Sequence, residues 1–175
     1  MLGYVTGGER GQMDLLLADT AARLRAEGCA LAGVVQVNEE FDPARPCHMD
    51  LHVLNGTSVI RISQDLGTLS KGCRLDPSAL EQAVGLVAQA LEAGPALLII
   101  NKFGRQEAEG RGFRPLIGQA LAAAVPVLTA VSAGYLDAFE RFAEGMGTAL
   151  PCETDAVLAF CHAQIRHQIR AQTEE

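Results

Sequence analysis

Continuous apolar runs alternate with helical stripes along most of this chain. Leu2 to Val5 is a short apolar run, and Leu15 to Ala26 carries its apolar residues at helical spacing after a glycine-rich turn. Glu27-Gly28 stops that helix, and Leu31 to Val37 reads as a second buried strand. Two short alternating runs, Met49 to Leu54 and Ser58 to Ser63, flank Asn55-Gly56, which predicts a β-hairpin over about 48–63. Gln64 to Arg74 is irregular. Asp76-Pro77 then opens a helix, as N-cap and first-turn proline, that runs to about Ala93 before Gly94-Pro95. Ala96 to Ile100 is apolar without alternation, the pattern of a parallel strand covered on both faces. A charged loop over 101–111 leads to a helix from about Phe113 to Ala123. Val127 to Val131 predicts another buried strand, and helices follow at Tyr135 to Ala143 and Glu153 to Gln172. The alternation implies a three-layer α/β fold around a mostly parallel sheet, with the hairpin as an antiparallel attachment, in a single domain over 1–175.

Composition narrows the function classes. A formal charge of −7 argues against a duplex nucleic-acid binder, which needs a basic face to displace counterions. No apolar run approaches the ~18 residues of a membrane span, and no segment has the form of a signal peptide, so a cytoplasmic protein without a membrane span is expected. Five cysteines without tight spacing do not read as a disulfide framework. The basic residues are arginines except for Lys71 and Lys102, which makes the position of Lys102 stand out.

In open α/β sheets, ligands bind beyond the carboxyl ends of the strands. That rule gathers Thr6 to Asp14, Asn101 to Arg114 and Ser132 to Tyr135. The first, Thr6-Gly7-Gly8-Glu9-Arg10-Gly11-Gln12-Met13-Asp14, lies between a strand and a helix, where backbone N–H groups and the helix N-terminus favour an anion. It does not satisfy the phosphate-loop pattern G-x-x-x-x-G-K-[ST]. With Gly11 as the last glycine, Gln12 stands for the lysine and Met13 for the Mg²⁺-binding hydroxyl. The second segment places Lys102, Arg105, Arg111 and Arg114 with Glu107 and Glu109 directly after a buried strand. The bland alternatives are a tight turn that needs glycine for its geometry and a solvated loop whose charges pair with each other. Cys47 and Cys73, with His48 and Asp50 near the first, would be a zinc or redox site only if the fold joined them. Arg61 to Asp65 ends the hairpin in groups able to fold over an anion. His162 and His167 lie about 140° apart around their helix and do not share a face.

The order of these elements, with Arg74 to Glu81 and Leu97 to Glu107, resembles the small P-loop nucleoside-triphosphatases of the kinase-like group. Members of that group carry an acidic Asp-Glu pair where this chain has Asn101-Lys102, and they share Gly104 and Glu107 with it. Gly7-Gly8-Glu9-Arg10-Gly11 and Asn101 to Glu107 further resemble a bacterial family known as domain of unknown function 2478. Through the gene context of its members, that resemblance implies a role near molybdate transport. It implies the fold, and not hydrolysis.

Three readings follow. The first is an anion-binding protein that holds an oxyanion such as molybdate, or a nucleotide phosphate, through Gly7, Gly8, Glu9, Arg10, Gly11, Gln12, Asn101, Lys102 and Arg105, with no cofactor. The second is a weak nucleoside-triphosphate phosphatase in which Asp14 holds Mg²⁺ and Glu107 or Glu109 positions water. The third is a structural partner without a small ligand. The expected macromolecular partners are a second copy or a molybdate-transport or cofactor-assembly protein.

Overall fold

Leu97 to Ile100 is uniformly apolar because both faces of its strand are covered. In a computed structural model, which describes residues 1–9, 11–39, 48–66 and 74–173, this strand is β5 (Leu97–Phe103) at the centre of a seven-stranded sheet. The others are β1 (Leu2–Val5), β2 (Leu31–Glu39), β3 (His48–Val53), β4 (Val59–Arg61), β6 (Val127–Val131) and β7 (Gly147–Leu150). Their order is β4-β3-β2-β5-β6-β1-β7. The five strands from β2 to β7 in that order pair in parallel, and β3 and β4 extend the sheet as an antiparallel hairpin from β2.

Helices cover both faces. On one side α1 (Gln12–Ala26) and α6 (Thr154–Thr173) bury Leu17, Leu24, Val157 and Cys161 against Val5, Leu97, Ile99 and Leu128. On the other, α2 (Pro77–Glu92), α4 (Arg114–Ala122) and α5 (Leu136–Ala143) pack on Leu98, Ile100 and Val131. The N-terminus of α2 is fixed as its sequence predicts. Asp76 is extended and its Oδ1 accepts from the N–H groups of Ser78 and Ala79, while Pro77 occupies the position where a missing N–H costs nothing. No helix among the described residues is long and apolar enough to cross a membrane.

Three elements depart from expectation. β7 was not anticipated: its four residues lack a β-branched run, and it is held at the sheet edge by pairing with β1 alone. A single helical turn, α3 (Arg105–Ala108), interrupts the expected charged loop. Most consequentially, β5 continues through Asn101 and Lys102 to Phe103, with a register shift against β6 between Ile100 and Phe103.

Candidate functional site

Asn101 and Lys102 lie at the register shift near the end of β5, where regular alternation is interrupted and their side chains part. Asn101 is buried and turns toward α1, where its Nδ2 donates to Asp14 Oδ1 at 2.8 Å. Its Oδ1 accepts from the Gln36 N–H at 2.8 Å, which fixes the orientation of the carboxamide. Asn38 Nδ2 donates to the other Asp14 oxygen at 3.1 Å, and Gln36 Nε2 donates to Asn38 Oδ1 at 2.7 Å. A continuous amide network thus joins β2, β5 and the first turn of α1.

Lys102 leaves on the α2 face and lines a cavity of about 660 Å³. One wall is apolar, with Met49, Leu51 and Ile62 from the hairpin, Leu75 and Leu80 around the start of α2, and Phe113. The hairpin and the start of α2 are tied together by hydrogen bonds from the Asp76 N–H to the Ile62 carbonyl and from the Gln64 N–H to the Arg74 carbonyl. The other wall carries charge: among the described residues Arg74, Lys102, Arg105, Arg111 and Glu107 line it. In a chain of net charge −7, this segregation is a local property of the site. Arg105 and Arg111 both pair with the exposed Glu109, whose carboxyl is held below its ordinary range chiefly by Arg105. Lys102 is exposed and has no ion-pair partner among the described residues.

Glu107 forms the rear of this wall. Its Oε2 accepts from the Gly104 N–H and its Oε1 from the Phe113 N–H, each at 3.0 Å, so the carboxylate closes the turn between β5 and α4. Burial pushes its carboxyl above the ordinary glutamate value, and the two backbone donors partly offset that rise. Gly112 is required by this arrangement: its φ is +59°, and a Cβ there would meet Glu107 Oε1 at 2.3 Å.

The glycine loop does not line the cavity. β6 separates β1 from β5, so the two strand ends are two interstrand spacings apart, about 10 Å. Gly7 and Gly11 both adopt positive φ, as the turn into α1 requires. The Glu9 N–H, a donor that a bound anion would need, is taken by Gln12 Oε1 at 2.9 Å. A Cβ on Gly8 would lie 3.1 Å from that oxygen and 3.2 Å from Cys152 Sγ. Arg10 lies outside the described residues. The cavity lining therefore includes Lys102 and Arg105 together with Asn101, whose carboxamide is committed to Asp14 and Gln36, and leaves Gly7, Gly8, Glu9, Gly11 and Gln12 outside it.

The remaining candidates have other roles or lie elsewhere. Arg61 forms a two-pronged ion pair with the buried Asp50 across the hairpin, at 2.8 and 3.0 Å, and holds its carboxyl below the ordinary range. Cys47 and Cys73 lie outside the described residues. His162 pairs with Glu27 at 2.6 Å, linking α6 to the end of α1. Arg114 lies over the Phe142 ring, 5.0 Å from its centroid. Tyr135 ends a 3₁₀ turn, Ala133–Tyr135, that does not border the cavity. The apolar wall was the part that sequence reasoning missed, since its residues come from three separate segments.

Mg²⁺, the usual metal of P-loop enzymes, does not fit the residues at Asp14. Both carboxylate oxygens already accept N–H donors from carboxamides, and Met13 precedes Asp14 where the metal's hydroxyl ligand would stand. No group of three or more His, Cys, Asp or Glu side chains able to hold a metal occurs among the described residues.

The sheet order, the helices on both faces and the glycine turn after β1 define an α/β protein of the P-loop NTPase fold. The chain belongs to the family described as protein of unknown function DUF2478, which matches residues 2–160. The crystal structure of THEP1 from the hyperthermophile Aquifex aeolicus is similar in fold, with a TM-score of 0.63 over 89% of this chain and 91% of that one, at 16% identity. A protein of Bradyrhizobium diazoefficiens named molybdenum import ATP-binding protein ModC 2 is 38% identical over 148 residues, 85% of this chain. The matched region spans only 16% of that protein's length.

Proposed function

We propose that this protein binds an anion on a P-loop-type fold whose own phosphate loop is out of use, and that the anion is taken at the Lys102 cavity. The observation that carries this reading is the clustering of four cationic side chains, one of them Lys102 without an ion-pair partner among the described residues, around a cavity in an acidic chain. A cluster of cationic side chains at the mouth of a cavity raises the local positive potential and favours an anion there. The ligand classes are an oxyanion such as molybdate or the phosphate of a nucleotide. The name of the Bradyrhizobium relative supports a place beside molybdate uptake.

Titration calorimetry with sodium molybdate, inorganic phosphate and ATP tests this directly. Lys102→Met keeps the aliphatic stem and removes the charge, so it weakens the binding of whichever anion is held by at least tenfold. Unchanged affinity would overturn the assignment. A phosphate-release assay across nucleoside triphosphates addresses the competing hydrolase reading: turnover lost in Glu107→Gln, with the fold intact, would replace binding by hydrolysis.

A further inference from the structure

We infer that the ligand of the Lys102 cavity is an amphiphilic organic anion, a phosphate or carboxylate carried on a flat apolar body of ring size, rather than a bare inorganic oxyanion. This rests on the reading of the cavity as the anion site. A tetrahedral oxyanion displaces roughly the volume of three waters, ~100 Å³. The cavity holds about 660 Å³, within the range of sites that enclose organic ligands.

The lining chemistry points the same way. An oxyanion enclosed by protein needs several N–H or O–H donors to replace its hydration. The carboxamides of two lining residues are engaged away from the cavity: Asn101 Nδ2 donates to Asp14 and Gln36 Nε2 to Asn38. The Gly104 and Phe113 N–H groups both donate to Glu107. An inorganic anion held at the exposed edge by the cationic side chains would leave Leu51, Ile62, Leu75, Leu80 and Phe113 behind it without a polar partner to offer. Those side chains stabilise a ligand only through apolar contact, about 25 cal/mol per Å² covered. Phe113 adds an aromatic ring to that wall. A molecule with an anionic group at Lys102 and a ring against Leu75 and Phe113 uses both walls at once.

The test is calorimetry on the full chain with 1-naphthyl phosphate, inorganic phosphate, molybdate and uncharged 1-naphthol, using the native protein, Lys102→Met and Leu75→Asn. Circular dichroism first establishes that both variants remain folded. The expected result is 1-naphthyl phosphate binding at least tenfold tighter than either inorganic anion. Lys102→Met weakens it tenfold or more, and Leu75→Asn weakens it about fivefold without affecting phosphate. If molybdate or phosphate binds as tightly as 1-naphthyl phosphate and both depend on Lys102, the amphiphile inference fails while the anion site stands. If 1-naphthol binds as tightly as its phosphate, or if no anion depends on Lys102, the anion site falls and this inference with it.

Discussion

The glycine loop and the Lys102 cavity both lie at the carboxyl edge of one sheet, with β6 between their strands, and they are built in opposite ways. The loop has the backbone shape of an anion cradle, with positive φ at Gly7 and Gly11, but it turns its polar groups inward: Gln12 accepts from the Glu9 N–H. At the cavity the Gly104 and Phe113 N–H groups are engaged by Glu107. The cavity has a lysine with no ion-pair partner among the described residues, three arginines and an apolar wall. The loop keeps a turn geometry, and the cationic and apolar side chains gather at the cavity. On the proposed reading, a fold of this type carries its ligand away from the glycine loop, since a site is set by its side chains and not by the fold.

The contrast breaks most readily through backbone geometry. Gly112→Ala forces a Cβ into Glu107 Oε1 at positive φ, and should destabilise the protein by about 3 kcal/mol in urea denaturation. Gly7→Ala has the same sign of φ but open space around it, and should cost only about 1 kcal/mol. Equal losses would mean that the wall behind the cavity is no more constrained than the loop.

Glu107→Gln comes next. Replacing one acceptor oxygen by an NH₂ group sets a donor against either the Gly104 or the Phe113 N–H, with an expected loss of about 1–3 kcal/mol. Its pH dependence has a definite sign. The folded state holds the Glu107 proton more tightly than the unfolded chain does, so this group's contribution declines as pH rises from the ordinary glutamate value through the raised one. Urea midpoints followed upward from pH 4 should show that decline in the native protein and lose it in the variant. Asp50 acts in the opposite direction and at lower pH, because Arg61 lowers its pKa: its contribution is lost as pH falls below the ordinary aspartate range.

Smaller effects sharpen the division of labour. Lys102→Met should weaken anion binding at least tenfold, about 1.4 kcal/mol, with unfolding unchanged. Gln12→Ala should leave affinity within twofold and cost about 0.5 kcal/mol of stability, since its hydrogen bond is exposed. An affinity gain in Gln12→Ala would instead mean that the glutamine holds a working cradle closed.

Most of the architecture could be read from local pattern. The apolar run at Leu97, the Asn55-Gly56 turn and the Asp76-Pro77 start are strong signals because each depends on neighbours in sequence. β7 and α3 are short, and their stability comes from β1 and from the Glu107 staple rather than from their own residues. The site was legible only as a charged segment. Taken as a loop, Asn101 and Lys102 would face the same ligand; at the end of β5 their side chains part, one toward Asp14 and one into the cavity. The apolar wall was invisible to spacing, because Leu51, Leu75 and Phe113 meet only through the packing of the hairpin and α2 on β5.

Glycine amides mark both regions, so one spectrum can decide between them. In ¹H–¹⁵N correlation spectra of the full chain titrated with 1-naphthyl phosphate, the cavity account predicts saturable shifts at Gly104, Lys102 and Phe113. Gly7, Gly8 and Gly11 should stay in place. Shifts at the three loop glycines with Gly104 unmoved would contradict it.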